Sequence, residues 1–185
     1  MISERTSVGL DVHARSVVAA AIDNQTGEVS RAVLAPEHDR VIGWIQTLPG
    51  PAAVAYEAGP TGFGLARALQ AASIECVVAA PSKIPRPAGD RVKTDRRDAL
   101  LLARLLRLDE LVPVRVPTPA EETARDLVRA RDDVRGDLMR ARHRLSKLLL
   151  RHDRVFEARA WTLAHDRWLR RQATSPASAR IPSTE

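Results

Sequence analysis

Thr6-Ser7-Val8-Gly9-Leu10-Asp11-Val12-His13 alternates apolar residues with small or polar ones at a period of two. That is the pattern of a β-strand with two differently used faces. Gly9, Asp11 and His13 fall on one side and Val8, Leu10 and Val12 on the other. The missing side chain of Gly9 is expected to leave space beside the Asp11 carboxylate. Downstream, Ser16 to Ile22 reads as a second apolar strand, and Asp23-Asn24-Gln25-Thr26-Gly27 as a turn leading into a third strand over Glu28 to Leu34. Pro36 to Leu48 carries Val41, Ile42, Trp44, Ile45 and Leu48 on helical spacing and stops at Pro49-Gly50-Pro51. Ala52 to Tyr56 is a fourth strand that delivers Glu57 to its carboxyl end, before a helix over about 62–72 and a fifth strand from Glu75 to Ala80. Three strands followed by helix, strand, helix, strand and helix predict a mixed α/β sheet with helices packed on it. In open sheets of this kind, sites gather beyond the carboxyl ends of the strands, where Glu57 lies.

Pro81 to Lys93 contains three prolines and the basic residues Lys83, Arg86, Arg91 and Lys93, so it is not regular structure for long. It serves either to lay cations on a nucleic-acid backbone or as a solvated linker. It feeds Val92-Lys93-Thr94-Asp95-Arg96-Arg97-Asp98-Ala99, where Thr94 is an expected N-cap and Asp95 and Asp98 enter the first turns of a leucine-rich helix. At 100° per residue, Asp95, Asp98, Ala99, Leu102, Leu105 and Leu106 share one stripe, with Arg96, Arg97, Arg104 and Arg107 opposite. Two acids one turn apart on an inward stripe repel each other and resist burial. A divalent cation would compensate them; otherwise they are ordinary first-turn acids that favour the helix start, with their heads in water.

From Pro119 the pattern is that of one long helix, entered through Pro117-Thr118-Pro119 with Glu121 and Glu122 in its first turn. Leu127, Val134, Leu138, Ala141, Leu145, Leu148 and Val155 follow heptad spacing, interrupted at Arg131 and His152. Such a helix to Val155 spans on the order of 55 Å and calls for a partner helix along its apolar edge. His143, His152 and His165 form no metal constellation and read as surface or seam residues. The expected division is an α/β domain over 1–116, a helical coiled-coil arm over 117–172 and a Ser-, Pro- and Ala-rich disordered tail over 173–185.

The 185 residues accommodate one ordinary core plus an extension, built from Val, Leu, Ile and Ala because aromatics make up only 3%. No apolar run approaches a membrane span and no signal-peptide pattern opens the chain, so a cytoplasmic protein is expected. The single cysteine, Cys76, excludes an intrachain disulfide and a cysteine-rich zinc site. The net charge of +6 is uneven: residues 1–80 hold 5 basic and 8 acidic side chains, residues 81–185 hold 24 and 15. Of the 29 basic residues only three are lysine, which either suits bidentate phosphate contact or reflects GC-rich codons. The location of the charge is the better pointer to a polyanionic partner.

Four acids stand out: Asp11, Glu57, Asp95 and Asp98. Carboxylates that converge from a strand, a neighbouring strand end and a helix start suit magnesium, with two ions flanking a scissile phosphodiester. Four motifs, Val8 to His13, Tyr56-Glu57-Ala58-Gly59-Pro60-Thr61-Gly62, Pro81-Ser82-Lys83 and Arg91 to Ala99, occur in order. Together they resemble the amino-terminal DEDD domain of the insertion-sequence family 110 transposases, which has a RuvC-like, ribonuclease-H-type fold. The resemblance runs from residue 6 to about 172, taking in Ala160-Trp161-Thr162 and Arg167-Trp168-Leu169. It implies that Asp11, Glu57, Asp95 and Asp98 are the catalytic and metal-holding tetrad, with Mg2+ or Mn2+ as cofactor. Lys83, Arg86, Arg91, Lys93, Arg96 and Arg97 would contact nucleic acid. It further implies DNA recombination by a homo-oligomer associated through the helical arm, guided in several members by a structured RNA, acting at the nucleoid. A carboxy-terminal domain whose serine attacks DNA belongs to the family pattern, and no serine here matches it, so a truncated member is expected.

Two other readings stay open. A non-catalytic nucleic-acid-binding or oligomerisation module accounts for the basic second half without using the carboxylates. A sugar-kinase or actin-like ATPase opens with a similar strand, Gly-x-Asp and hairpin, although 185 residues leave little room for its second lobe.

Overall fold

A computed structural model describes residues 6–85 and 95–174, without the side chains of 95, 96, 173 and 174. The described chain runs β1 (Thr6–Val12), β2 (Val17–Asp23), β3 (Val29–Leu34), α1 (His38–Gln46), β4 (Ala52–Glu57), α2 (Gly64–Ala71), β5 (Glu75–Ala79), a 3-10 turn (Pro81–Lys83), α3 (Asp95–Arg107), α4 (Pro119–Arg151) and α5 (Leu163–Thr174). Its contacts divide it into two compact units, 1–121 and 122–185. Of the tail expected over 173–185, Ala173 and Thr174 instead end helix α5, while 175–185 and the Thr94 cap lie outside the described residues.

In the first unit the strands form one mixed sheet in the order β3-β2-β1-β4-β5. β1 pairs antiparallel with β2 and parallel with β4, so the strand carrying Asp11 is central. The pleat sorts the side chains. Val8, Leu10, Val17, Ala19, Val54, Tyr56 and Val78 form the main core with Val41 and Ile45 of α1 and Leu65 and Leu69 of α2. Ala20 and Val18 meet Ala99 on the opposite face, and Ala53 and Ala55 meet Leu106 there. Helices therefore cover both faces, and the architecture is the RuvC-like α/β fold expected from the motifs. On the β5 edge, Val112 and Val114 exchange backbone hydrogen bonds of 2.9 and 2.8 Å with Ala80 and Val78.

The role expected for Gly9 needs correction. A Cβ there would lie 2.0 Å from the carbonyl oxygen of Ala99 and 2.5 Å from the backbone nitrogen of Ala103. The vacant volume belongs to the backbone of α3, not to a ligand beside Asp11. The stripe expected for α3 is otherwise observed: Ala99, Leu102, Ala103, Leu105 and Leu106 are buried, and Arg97, Arg104 and Arg107 are exposed.

Three helix ends share one mechanism that residue preference does not announce. Ser73, Asp109 and Asp153 have positive φ, and the succeeding N–H groups of Ile74, Glu110 and Arg154 bond back to the carbonyls of Leu69, Leu105 and Leu149. These are Schellman closures made without glycine. The last of them ends α4 at Arg151, four residues before the expected Val155. At the other end of α4, Thr118 and Glu121 form a reciprocal capping box: the Glu121 N–H donates to Thr118 Oγ1, and the Thr118 N–H donates to Glu121 Oε2 at 2.8 Å. Hydrogen bonds from Arg115 above all, then from Thr118, pull the Glu121 carboxyl down to about 2.

In the second unit α5 folds back against α4 as a separate helix, where the sequence pattern predicts a single arm. His165 is not a surface or seam residue. It is 4% exposed, stacks on Trp168, meets Phe156 and Trp161, and accepts the Trp161 N–H at Nδ1 (2.9 Å). Elsewhere the seam of α4 is bare, with Leu127 69% and Val134 68% exposed. Among the described residues no helix is long and apolar enough to cross a membrane.

Candidate active site

Strand parity and register place the first two acids. β1 and β4 run parallel with Gly9 opposite Ala55 and Leu10 opposite Tyr56, so Asp11 and Glu57 come next at one level on neighbouring strands. Leu10 and Tyr56 point into the α1–α2 core. Gly9 and Ala55 face α3, and so, two residues on, do Asp11 and Glu57. Neighbouring strands lie about 4.8 Å apart, close enough for two carboxylates to share a cation.

The direction of α3 brings the third acid to the same end. Its early residue Ala99 packs on Val18, the partner of Asp11, while its late residue Leu106 packs on Ala53, the partner of Ser7. The helix therefore starts over the carboxyl ends of β1 and β4 and runs back across the sheet. Asp98, half-buried, immediately precedes the turn seated on Gly9. Asp95 occupies the first position of α3, but its side chain lies outside the described residues. Among the described residues, no group of three or more His, Cys, Asp or Glu is gathered closely enough to hold a metal ion. Asp11, Glu57 and Asp98 thus share a face and an end of the sheet without forming a closed ligand cluster.

In the sequence His13 stands out only as part of the strand alternation. It continues the parity of Gly9 and Asp11, and its Nε2 lies 3.2 Å from Asp11 Oδ2. The imidazole holds one oxygen of the central carboxylate and limits its rotation. Asp11 and Asp98 have further partners as well. Carboxylate oxygens with one nearby imidazole are the donors that a hard divalent cation would take. Cys76 takes no part, because its strand parity sends it to the α1–α2 core and burial pushes its thiol up to about 12.

Of the expected nucleic-acid contacts, Lys83 is exposed on the 3-10 turn after β5 and Arg97 is exposed in the first turns of α3. Arg86, Arg91 and Lys93 lie outside the described residues, as does the side chain of Arg96.

Residues 8–152 match the DEDD transposase family model of the insertion-sequence 110 type, described as "Transposase". The chain is 43% identical over 171 residues to putative transposase y4qE of Sinorhizobium fredii (strain NBRC 101917 / NGR234), covering 89% of this chain and 44% of that protein. It is 35% identical over 179 residues to the transposase for insertion sequence element IS1533 of Leptospira borgpetersenii, covering 91% and 51%. Putative transposase y4rJ of the same Sinorhizobium strain is 39% identical over 106 residues, covering 54% and 27%. The chain spans about half the length of the first two of these relatives.

Proposed function

Because this chain belongs to the DEDD transposase family of insertion sequences, we propose that it supplies the metal-dependent phosphodiester chemistry of a DNA recombinase. The observation that carries the reading is the level placement of Asp11 and Glu57 on one face, beneath the acidic start of α3. Asp11, Glu57, Asp95 and Asp98 are the residues that would hold magnesium, or manganese in its place. Bound there, such ions would polarise the phosphodiester and ready the attacking oxygen. The protein's own part is positional. His13 orients Asp11, the α3 backbone seated on Gly9 sets the height of Asp98 above the sheet, and Lys83 and Arg97 bring positive charge to the same region. Arg86, Arg91, Lys93 and Arg96 extend that charge along the DNA in this reading. A structured guide RNA and a second copy of the chain, associated through α4 at the nucleoid in the cytoplasm, complete the proposed assembly.

The reading is tested by thermal unfolding with and without magnesium. The parent is expected to gain stability on adding the ion, and Asp98→Asn to lose most of that gain; equal responses reject the site. A magnesium-dependent nicking assay, on the chain alone and mixed with a complete relative, tests the chemistry. A non-catalytic binding or oligomerisation module is favoured instead by the bare apolar seam of α4. It predicts salt-sensitive nucleic-acid binding that survives neutralisation of all four acids. The ATPase reading loses its basis, since the strand and hairpin that suggested it lie inside the family match.

A further inference from the structure

The second unit contains a cleft that the carboxylate site does not use. It opens between α4 and α5, has a volume of about 350 Å3, and is walled by Leu138, Ala141, Leu145, Trp161, His165 and Leu169. Trp161 stands at its mouth, 36% exposed, with the Arg142 guanidinium 5.0 Å from its ring centroid. The backbone holds the indole there. Trp161 has φ +64, a left-handed conformation that a side chain of this size rarely adopts, fixed by the bond from its N–H to buried His165. Strained non-glycine residues of this kind collect at ligand clamps and other functional sites.

The surroundings indicate the ligand. Leu145 also lines a shallow depression whose other walls are His143, Arg144, Lys147, Leu148 and Arg151. From Leu138 to His152 the chain carries five basic residues and no acidic one. The acid at the cleft, Asp166, is engaged by Arg170 at 2.9 Å. A flat aromatic ring about a third exposed, beside a strip of cations, is the combination that binds unpaired nucleotides: the base stacks in the cleft while its phosphates track the cations.

We propose that the α4–α5 cleft takes one unpaired base of a single-stranded nucleic acid against the Trp161 ring, with Arg142, which covers that ring at 5.0 Å, moving outward to stack on the far face of the base and the adjoining phosphates on Arg144, Lys147 and Arg151. The assignment rests on the nucleic-acid reading above but is independent of its metal site. A base-stacking contact is worth about tenfold in affinity.

The test uses the full chain in EDTA, with labelled octamers of deoxythymidine and of uridine and an abasic octamer of equal charge, read by anisotropy and tryptophan quenching. The base-bearing strands are expected to bind about tenfold more tightly than the abasic one, and Trp161→Leu to abolish that difference while leaving abasic binding unchanged. Arg142→Met, which leaves the Trp161 turn intact, is expected to reduce the difference without altering helicity, so misfolding is separated from lost stacking. Replacing Arg144, Lys147 and Arg151 by alanine should flatten the salt dependence for all strands. The DNA and RNA arms identify the preferred sugar. Equal binding of base-bearing and abasic strands overturns the cleft assignment alone; no binding to any strand overturns it together with the nucleic-acid reading. Self-association that Trp161→Leu removes assigns the cleft to a second copy and also overturns it.

Discussion

The sheet unit and the helical hairpin bury their chains in opposite ways. In the first, α3 sits so close to β1 that a single methyl group on Gly9 would collide with two backbone atoms, and helices cover both faces of the central strands. In the second, α4 has no buried residue over its 33, and order depends on a small aromatic knot around His165. The difference suggests a division of labour. In the proposed reading, a site that holds carboxylates at fixed spacing needs a close-packed frame, whereas a surface that meets polymers or other subunits keeps its apolar and cationic side chains available.

Substitutions sharpen or break this contrast in order of size. Gly9→Ala is expected to cost about 3 kcal/mol or more, because the colliding atoms are backbone and cannot rotate away. Equilibrium unfolding in denaturant measures it, and a cost below that of an exposed helix substitution would mean α3 is not clamped to β1. His165→Ala should cost on the order of 2 kcal/mol, through lost ring packing and an orphaned Trp161 N–H. Its signature is a change in tryptophan emission without loss of magnesium response. Leu127→Ala, at a position 69% exposed, should move monomer stability by no more than about 0.5 kcal/mol. If the unfolding midpoint instead becomes less dependent on protein concentration in the variant, that face is covered in an oligomer.

The smallest effect is electrostatic and confined to the start of α4. Glu121 titrates lower in the folded chain, near 2, than its ordinary 4.5, so its contribution is present above the ordinary value and fades as pH falls toward 2. Circular dichroism should show slight fraying of α4 across that interval in the parent. Glu121→Gln removes the dependence, since the amide does not titrate, and an unchanged acid response would assign it to other carboxyls.

Much of this architecture is legible in order along the chain. Strand alternation in residues 6–13 assigns Asp11 to one face, and the leucine spacing of α3 assigns Asp98 to the buried stripe, both by local periodicity alone. The Thr118-x-x-Glu121 box is equally local, but the prolines on either side of Thr118 dominate the pattern there and mask it. The stops at Ser73, Asp109 and Asp153 are harder to read, because a left-handed residue other than glycine is selected by the packing of the chain beyond it, not by its own preference. His165 reads as a surface or seam residue because its contact with Trp168, one turn along the same helix, is not a metal or core signal in itself, and only the chain reversal at 152–162 brings its ring against Phe156.

By itself the sequence determined the order of the strands and helices through α4, the polarity of each face, the four candidate acids and the concentration of positive charge in the second half. Periodicity and turn chemistry act over a few residues and need no distant partner. Only the tertiary structure decided that Gly9 accommodates a helix backbone, that Asp11 and Glu57 stand level, and that Trp161 is presented at a cleft beside Arg142. Those facts depend on register and on close approach between segments far apart in the chain, where packing of whole elements, not the preference of any one residue, sets the geometry.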